Sequence, residues 1–173
     1  MNVLELFKAI DTFVFDVDGV LTDGGLLIDP GSQYIRKMNI KDGYALQFAV
    51  KKGYRIAVIT GSHSEPVAER LAHLGITAFY QRESDKKSRL LSYMQDHQLK
   101  PEQVLYMGDD IPDYSVMQMV GLPCCPSDAA SDIRGISRYI SPFKGGEGCA
   151  RDVIEKVLRL QGQWELDTSL RSI

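Results

Sequence analysis

The stretch Thr12–Gly19, TFVFDVDG, decides the fold. Its first half is β-branched and aromatic, as in a strand covered on both faces, and its second half supplies two carboxylates and a glycine. Two later runs repeat the plan, RIAVIT followed by Gly61 and VLYM followed by Gly108-Asp109-Asp110. Strands are expected at Thr12–Val17, Arg55–Thr60, Ala78–Tyr80, Val104–Met107 and Leu122–Cys124. Between them lie helical stretches, Gly43–Lys52, Ser64–Leu74, Lys86–His97, Pro112–Val120 and Cys149–Leu160. Apolar residues return in these at helical spacing, such as Val67, Leu71 and Leu74, or Val153, Val157 and Leu160. Proline in a first turn, as at Pro112, is a helix start signal.

Strand alternating with helix predicts an α/β fold, a Rossmann-like three-layer sandwich around a central, mainly parallel sheet. Gly25–Ile40 breaks the alternation. It reads as a small β-hairpin inserted after the first strand and turning at Asp29-Pro30-Gly31-Ser32. Beyond Leu160 the chain becomes polar, with Trp164 and Leu166 as its large anchors, and is expected to run extended. No repeat or linker divides the chain, so residues 1–173 are expected to form one domain with a hairpin at 25–40 and a tail at 161–173.

A chain of 173 residues, 44% of them hydrophobic, can build one core without disulfides or metals. The 20 basic against 23 acidic residues give a net charge of −3. That balance offers no broad attraction to nucleic acid or to an anionic membrane, so an anionic ligand must be held by a few local cations. No apolar run approaches the ~20 residues of a membrane span, and MNVLELFKAID lacks the layout of a secretion signal. Cys124, Cys125 and Cys149 form neither a disulfide framework nor a zinc spacing, and read as reduced core thiols of a cytoplasmic protein.

In an open parallel sheet the carboxyl ends of the strands form the ligand crevice, so the three glycine-bearing endings should converge. Asp16 and Asp18, at i and i+2, point to one side of an extended chain. Two crowded carboxylates call for a cation, and Mg²⁺ takes oxygen ligands while leaving positions for water and a substrate phosphate. Asp109 and Asp110 would complete the acidic set, while Asp113, one helical turn on, either joins it or caps a helix. Thr60 and Gly61, just before a helix, make an anion site, to which Lys86 adds a compact positive charge. Together these are the parts of phosphoryl transfer. One carboxylate attacks phosphorus, another handles the leaving-group proton, and cations neutralise the phosphate oxygens.

DVDGVLTDG, ITG, Lys86 and GDDIPD resemble, in order, the four motifs of the haloacid dehalogenase superfamily of phosphohydrolases. Thr22-Asp23-Gly24-Gly25 with its hairpin, Asp42-Gly43-Tyr44 and Gly145-Gly146-Glu147-Gly148-x-x-Arg151 narrow the resemblance to the 3-deoxy-D-manno-octulosonate 8-phosphate phosphatase family, over nearly the whole chain. The resemblance implies a fold with no cap domain, and a homotetramer whose neighbouring subunits cover each site. It implies Asp16 as nucleophile, Asp18 as general acid then base, and Mg²⁺ held by the Asp16 carboxylate, the Asp18 carbonyl and Asp109. Asp110 and Asp113 would form the surrounding acidic shell, with Thr60, Gly61 and Lys86 on the phosphate. Arg70 and Arg151 would serve the sugar acid, Arg70 from across a subunit boundary. The hairpin and the tail from Gln163 to Ile173 are expected to pack on a neighbour, bringing Arg70 or Arg171 toward the substrate carboxylate.

Ser62-His63 replaces the arginine that some octulosonate phosphatases carry after Thr-Gly. Phosphatases for nine-carbon sugar acids have a glutamate there and a lysine at the position of His73, so the eight-carbon substrate is favoured. A phosphorylation-switch receiver domain offers similar parts but places its phospho-acceptor on a later strand, and it has no use for Asp18.

Overall fold

The computed structural model describes residues 2–31 and 34–170. From the amino end the chain runs α1 (Val3–Lys8), β1 (Thr12–Phe15), β2 (Leu27–Ile28), β3 (Tyr34–Ile35), α2 (Ile40–Lys51), β4 (Arg55–Ile59) and α3 (Glu65–His73). It continues through β5 (Ala78–Tyr80), α4 (Lys86–Asp96), β6 (Val104–Met107) and α5 (Tyr114–Met117). It then forms β7 (Leu122–Cys125), α6 (Ser131–Ile136), β8 (Tyr139–Ile140) and α7 (Cys149–Leu160).

Six strands form one parallel sheet in the order β5-β4-β1-β6-β7-β8. The chain starts in the middle, winds out through β4 to β5, returns to β6 beside β1 and winds out the other way. That reversal opens a crevice at the carboxyl end of β1, with the ends of β4 and β6 on either side.

Side chains alternate across the strands and sort the core into two layers. Phe13, Phe15, Ile56, Val58, Leu105, Met107, Leu122 and Cys124 pack with α2, α3 and α7. Val14, Ala57, Ile59, Val104, Tyr106 and Cys125 pack with α4, α5 and α6. Burying each large apolar side chain contributes roughly 1.5–3 kcal/mol, and the expected three-layer α/β sandwich follows. All three cysteines are free and buried, as expected of core thiols.

Several boundaries differ from the sequence reading, each for a local reason. β1 stops at Phe15 because the Asp16 carboxylate accepts the Val17 N–H (2.7 Å) and the chain curls through Val17–Leu21. Asp16 and Asp18 therefore do not lie two apart on an extended strand. α2 begins at Ile40, three residues before Gly43, because the Asn39 side chain accepts from Lys41 N (2.8 Å) and Asp42 N (3.4 Å). The helix expected at Pro112–Val120 is a 3-10 turn, Ile111–Asp113, followed by the single turn of α5.

The inserted hairpin is present but small, pairing Leu27 with Ile35 and Ile28 with Tyr34. Ser32, in its expected turn, lies outside the described residues. The tail needs a larger correction. Instead of leaving its own subunit it returns to α2, where Trp164 stacks edge-on against Phe48 with centroids 5.1 Å apart. The Tyr44 hydroxyl donates to the Asp167 carbonyl (2.8 Å) and Lys51 pairs with the Asp167 carboxylate (2.6 Å). Leu166 alone among the tail's apolar anchors faces outward, 94% exposed. Arg171 and Ile173 lie outside the described residues.

Among the described residues no helix is long and apolar enough to cross a membrane.

Candidate active site

Most of the site is built at strand ends. Asp16 leaves β1, Thr60 and Gly61 leave β4, Asp109 and Asp110 leave β6, and these three strands are neighbours. Lys86 opens α4, whose amino end is capped by Asp85 accepting from Ser88 N (3.0 Å). These groups line a cleft of about 410 Å³ together with Asp18, Asp113, Glu83 and Ser84.

At its floor, carboxylate oxygens of Asp16, Asp109 and Asp113 lie within 4.8 Å of one another. Lys86 Nζ stands between two of them, 2.9 Å from Asp16 Oδ1 and 2.8 Å from Asp113 Oδ1. Asp113 also accepts the Tyr106 hydroxyl (2.8 Å) and the Asp109 N–H (3.2 Å), so its carboxylate is committed inside the cluster and makes no helix-capping bond. Gly19, with φ +86°, lets the turn after Asp18 close onto Asp109, since a Cβ there would lie 2.0 Å from Asp109 Oδ2.

The electrostatics are those of a site short of positive charge. Burial, then the Asp113 carboxylate, pushes Asp16 up to about 7 against the opposing pull of Lys86. Burial, then Asp113 and Asp110, pushes Asp109 up to about 7. Burial alone would lower Lys86, but Asp113 and Asp16 overcome it and hold the ammonium above its ordinary value. One lysine does not balance three clustered carboxylates, and a divalent cation bound by oxygen would.

Thr60 is buried, its hydroxyl 2.9 Å from Ser62 Oγ and accepting from Ser62 N (3.1 Å). Gly61 and the exposed Asp110 stand on opposite sides of the cleft mouth, at the ends of β4 and β6. Asp18 stands apart from the acidic cluster. Its carboxylate is gripped by Arg36 of the hairpin, Nε to Oδ1 at 2.6 Å and Nη2 to Oδ2 at 3.2 Å. Arg36 was not singled out from the sequence, where it is one charge on a short apolar hairpin.

Neither arginine expected to serve the sugar acid lines this subunit's cleft, Arg70 having been expected to act across a subunit boundary. Arg70 lines a separate cavity of about 270 Å³ between β3 and α3, together with Tyr34, Arg36 and Met38. Arg151, on α7, pairs with Glu155 (3.1 Å) and lies over the rings of Tyr44 and Trp164, 5.7 and 5.6 Å from their centroids. It faces a cavity of about 590 Å³ along α7 rather than the acidic cleft, because the tail's tryptophan and α2 hold its guanidinium there. His63 pairs with Glu65 (3.2 Å), and His97 ends α4.

The two glycine motifs that looked diagnostic in the sequence meet behind the cleft. Asp42, buried on α2, accepts from Gly148 N (3.2 Å) and Arg151 N (2.7 Å), fastening the start of α7. Burial raises this carboxyl to about 6, less the help of the two amides. The loop so fastened presses on the turn after Asp18. Gly146 N donates to Val20 O (2.9 Å), and a Cβ on Gly145 would lie 1.9 Å from Gly19 O.

No family model matches the chain. The chain is 33% identical over 169 residues to the 3-deoxy-D-manno-octulosonate 8-phosphate phosphatase KdsC of Yersinia pestis, covering 98% of this chain and 90% of that one. A crystal structure of the Yersinia pestis phosphatase superimposes with a TM-score of 0.91 at 33% identity, covering 93% of this chain and 87% of that one. The Moraxella catarrhalis phosphatase, solved with a magnesium ion, a phosphate ion and a KDO molecule, has a TM-score of 0.89 at 30% identity, each chain covered to 92%. Fold, motif order and full-length similarity agree, and the chain belongs to the KdsC family of phosphatases within the haloacid dehalogenase superfamily.

Proposed function

We propose that the chain removes phosphate from a sugar-acid phosphate, 3-deoxy-D-manno-octulosonate 8-phosphate, through an aspartyl-phosphate formed on Asp16. One observation carries the chemistry. Asp16, at the central strand end, lies buried in the cleft against Lys86 at 2.9 Å. The names of the relatives support the substrate.

The donor set fits magnesium. Asp16 and Asp109, with the Asp18 carbonyl, would hold it, while Asp113 stays bonded to Lys86 and Tyr106. When bound, the ion supplies positive charge to the phosphate oxygens and offsets the crowding that raises both carboxyls.

The protein's own groups account for the rest. An Asp16 oxygen attacks phosphorus as the bond from phosphorus to the sugar oxygen breaks, and Asp18 gives that oxygen its proton. Asp18 then takes a proton from water as the water oxygen attacks phosphorus. The bond to Asp16 breaks, releasing phosphate and restoring the carboxylate. Lys86 lowers the repulsion between Asp16 and the incoming anion, and Thr60 Oγ1 with Gly61 N holds phosphate oxygens.

We read the whole chain as one catalytic domain, acting in the cytoplasm in lipopolysaccharide precursor synthesis. The hairpin leaves Leu26, Leu27, Ile28 and Ile35 exposed, Leu27 to 66%, and this exposed apolar surface supports our reading of a tetramer that would cover it and in which Arg70 would serve a neighbour's substrate.

The test is phosphate release from the eight-carbon 8-phosphate, a nine-carbon keto-deoxy sugar acid 9-phosphate and a plain hexose phosphate, each with and without magnesium. The eight-carbon ester should give the highest kcat/KM, and only with the metal. A preference for the nine-carbon ester would overturn the substrate, and metal-independent turnover would overturn the chemistry.

A further inference from the structure

Asp18 needs an explanation that the acidic cluster does not give. It sits in the turn Val17–Leu21 rather than on a strand, and the one polar partner of its carboxylate among the described residues is Arg36. The Arg36 side chain is 5% exposed, while that of Asp18 is 33% exposed and lines the cleft. The guanidinium is thus fixed inside, and the carboxylate it holds is about a third open to whatever enters.

A two-pronged arginine–carboxylate bond fixes the plane of the carboxylate as well as its position. Arg36 is itself anchored, Nη1 donating to Tyr34 O (3.3 Å). The neighbouring residues repeat the tie, with Lys37 on Asp23 (3.0 Å) and a bridge between Thr22 and Met38. The neck of the hairpin therefore runs beside the turn that carries Asp18, joined to it at successive residues.

We propose that Arg36 is a positioning residue that holds the Asp18 carboxylate in the orientation from which it exchanges protons with the leaving group. The proposal rests on the reading of Asp18 as acid and base. Its consequence is that the hairpin takes part in the chemistry. A displaced β3 would leave Asp16, Asp109 and Lys86 on their own elements and misdirect the proton.

A purely structural tie would lower stability and slow every substrate alike. A tie acting through Asp18 leaves a distinct signature, because proton donation matters most for leaving groups that are poor without it. kcat/KM is measured for wild type, Arg36→Met, Arg36→Lys, Asp18→Asn and the double variant Asp18→Asn/Arg36→Met. The substrates are the sugar-acid phosphate and a series of aryl phosphates of increasing leaving-group basicity, with magnesium affinity measured alongside.

Arg36→Met should lose roughly 10- to 100-fold on the sugar-acid phosphate and on the most basic aryl leaving groups, part of what acid–base catalysis supplies. It should lose little on p-nitrophenyl phosphate and bind magnesium like the wild type. Arg36→Lys should recover part of the loss, since one ammonium keeps the charge and not the fork. In the Asp18→Asn background, Arg36→Met should add less than about twofold, because its target is gone.

An Arg36→Met loss equal for all leaving groups, or equally large without the Asp18 carboxylate, would overturn the proposal. If Asp18→Asn were itself indifferent to the leaving group, the acid–base reading would fall, and the proposal with it. Should Arg36→Met fail to fold, Arg36→Lys carries the same test, since it too should show a leaving-group-dependent loss that disappears with Asp18→Asn.

Discussion

Lys86 Nζ lies 2.9 Å from Asp16 Oδ1 with both side chains almost wholly enclosed, and it also pairs with Asp113. The lysine is the cationic partner of both carboxylates at the floor of the cleft. Removing it strands buried charge, a larger effect than losing a surface ion pair.

Lys86→Met should therefore destabilise the metal-free protein by about 3–5 kcal/mol at pH 8. The loss should be smaller at pH 5, where the stranded carboxylates can take up protons. Denaturant unfolding at the two pH values checks this. An equal, small loss at both would mean that Lys86 is not the counter-charge.

Metal-free stability should depend on pH in the direction opposite to a salt-bridged acid. Asp16 and Asp109 are raised from 3.8 to about 7, so the folded state binds their protons more tightly than the unfolded chain does. Their contribution is present at low pH and is lost as pH rises from about 4 through about 7. The thermal midpoint without metal should thus fall as the pH is raised from about 5.5 to about 8, across the value near 7. Magnesium competes with those protons, so the increase in midpoint that it gives should be larger at pH 8. A metal-free midpoint that rises over the same interval would contradict the cluster's electrostatics.

Asp42→Ala leaves the amides of Gly148 and Arg151 without an acceptor at the buried start of α7. The expected cost is about 1–3 kcal/mol. Because the loop it fastens presses on Gly19 and Val20, kcat should also fall at temperatures where the variant is fully folded. Loss of stability with unchanged kcat would confine Asp42 to the scaffold.

Truncation after Gly162 removes Trp164 from Phe48 and Asp167 from Tyr44 and Lys51. The described tail packs on its own subunit, so the deletion should lower stability by about 2 kcal/mol through lost apolar burial, even in a diluted monomer. Unaltered unfolding would mean that the tail contributes nothing at home.

The strand-end chemistry was legible because each piece is local. An acidic or hydroxyl residue and a glycine at the end of an apolar run fix where the strand stops and what it presents. Their convergence followed from the α/β pattern alone. Asp113 was ambiguous, since its burial between Lys86 and Tyr106 depends on three separate elements meeting. Arg36 was invisible because its partner is 18 residues away across a hairpin whose placement no spacing sets. Arg151 was misplaced for the converse reason. Its motif is real, but the glycines and the Arg151 amide serve the scaffold while its guanidinium turns to Tyr44 and Trp164. The elements α1, α6 and β8, of 6, 6 and 2 residues, are too short to show a period.

The central claim is that Asp16 becomes covalently phosphorylated. The most direct measurement is acid quenching during turnover, followed by mass spectrometry of the peptide that contains Asp16, in wild type and in Asp18→Asn. With p-nitrophenyl phosphate, whose departure needs little help from an acid, a hydroxylamine-labile phosphoryl group should appear on Asp16, more abundant in Asp18→Asn because hydrolysis of the intermediate is slowed while its formation is not, and absent from Asp16→Asn, which should not turn over. Undiminished turnover by Asp16→Asn, or a phosphoryl group found on another residue, would contradict the account.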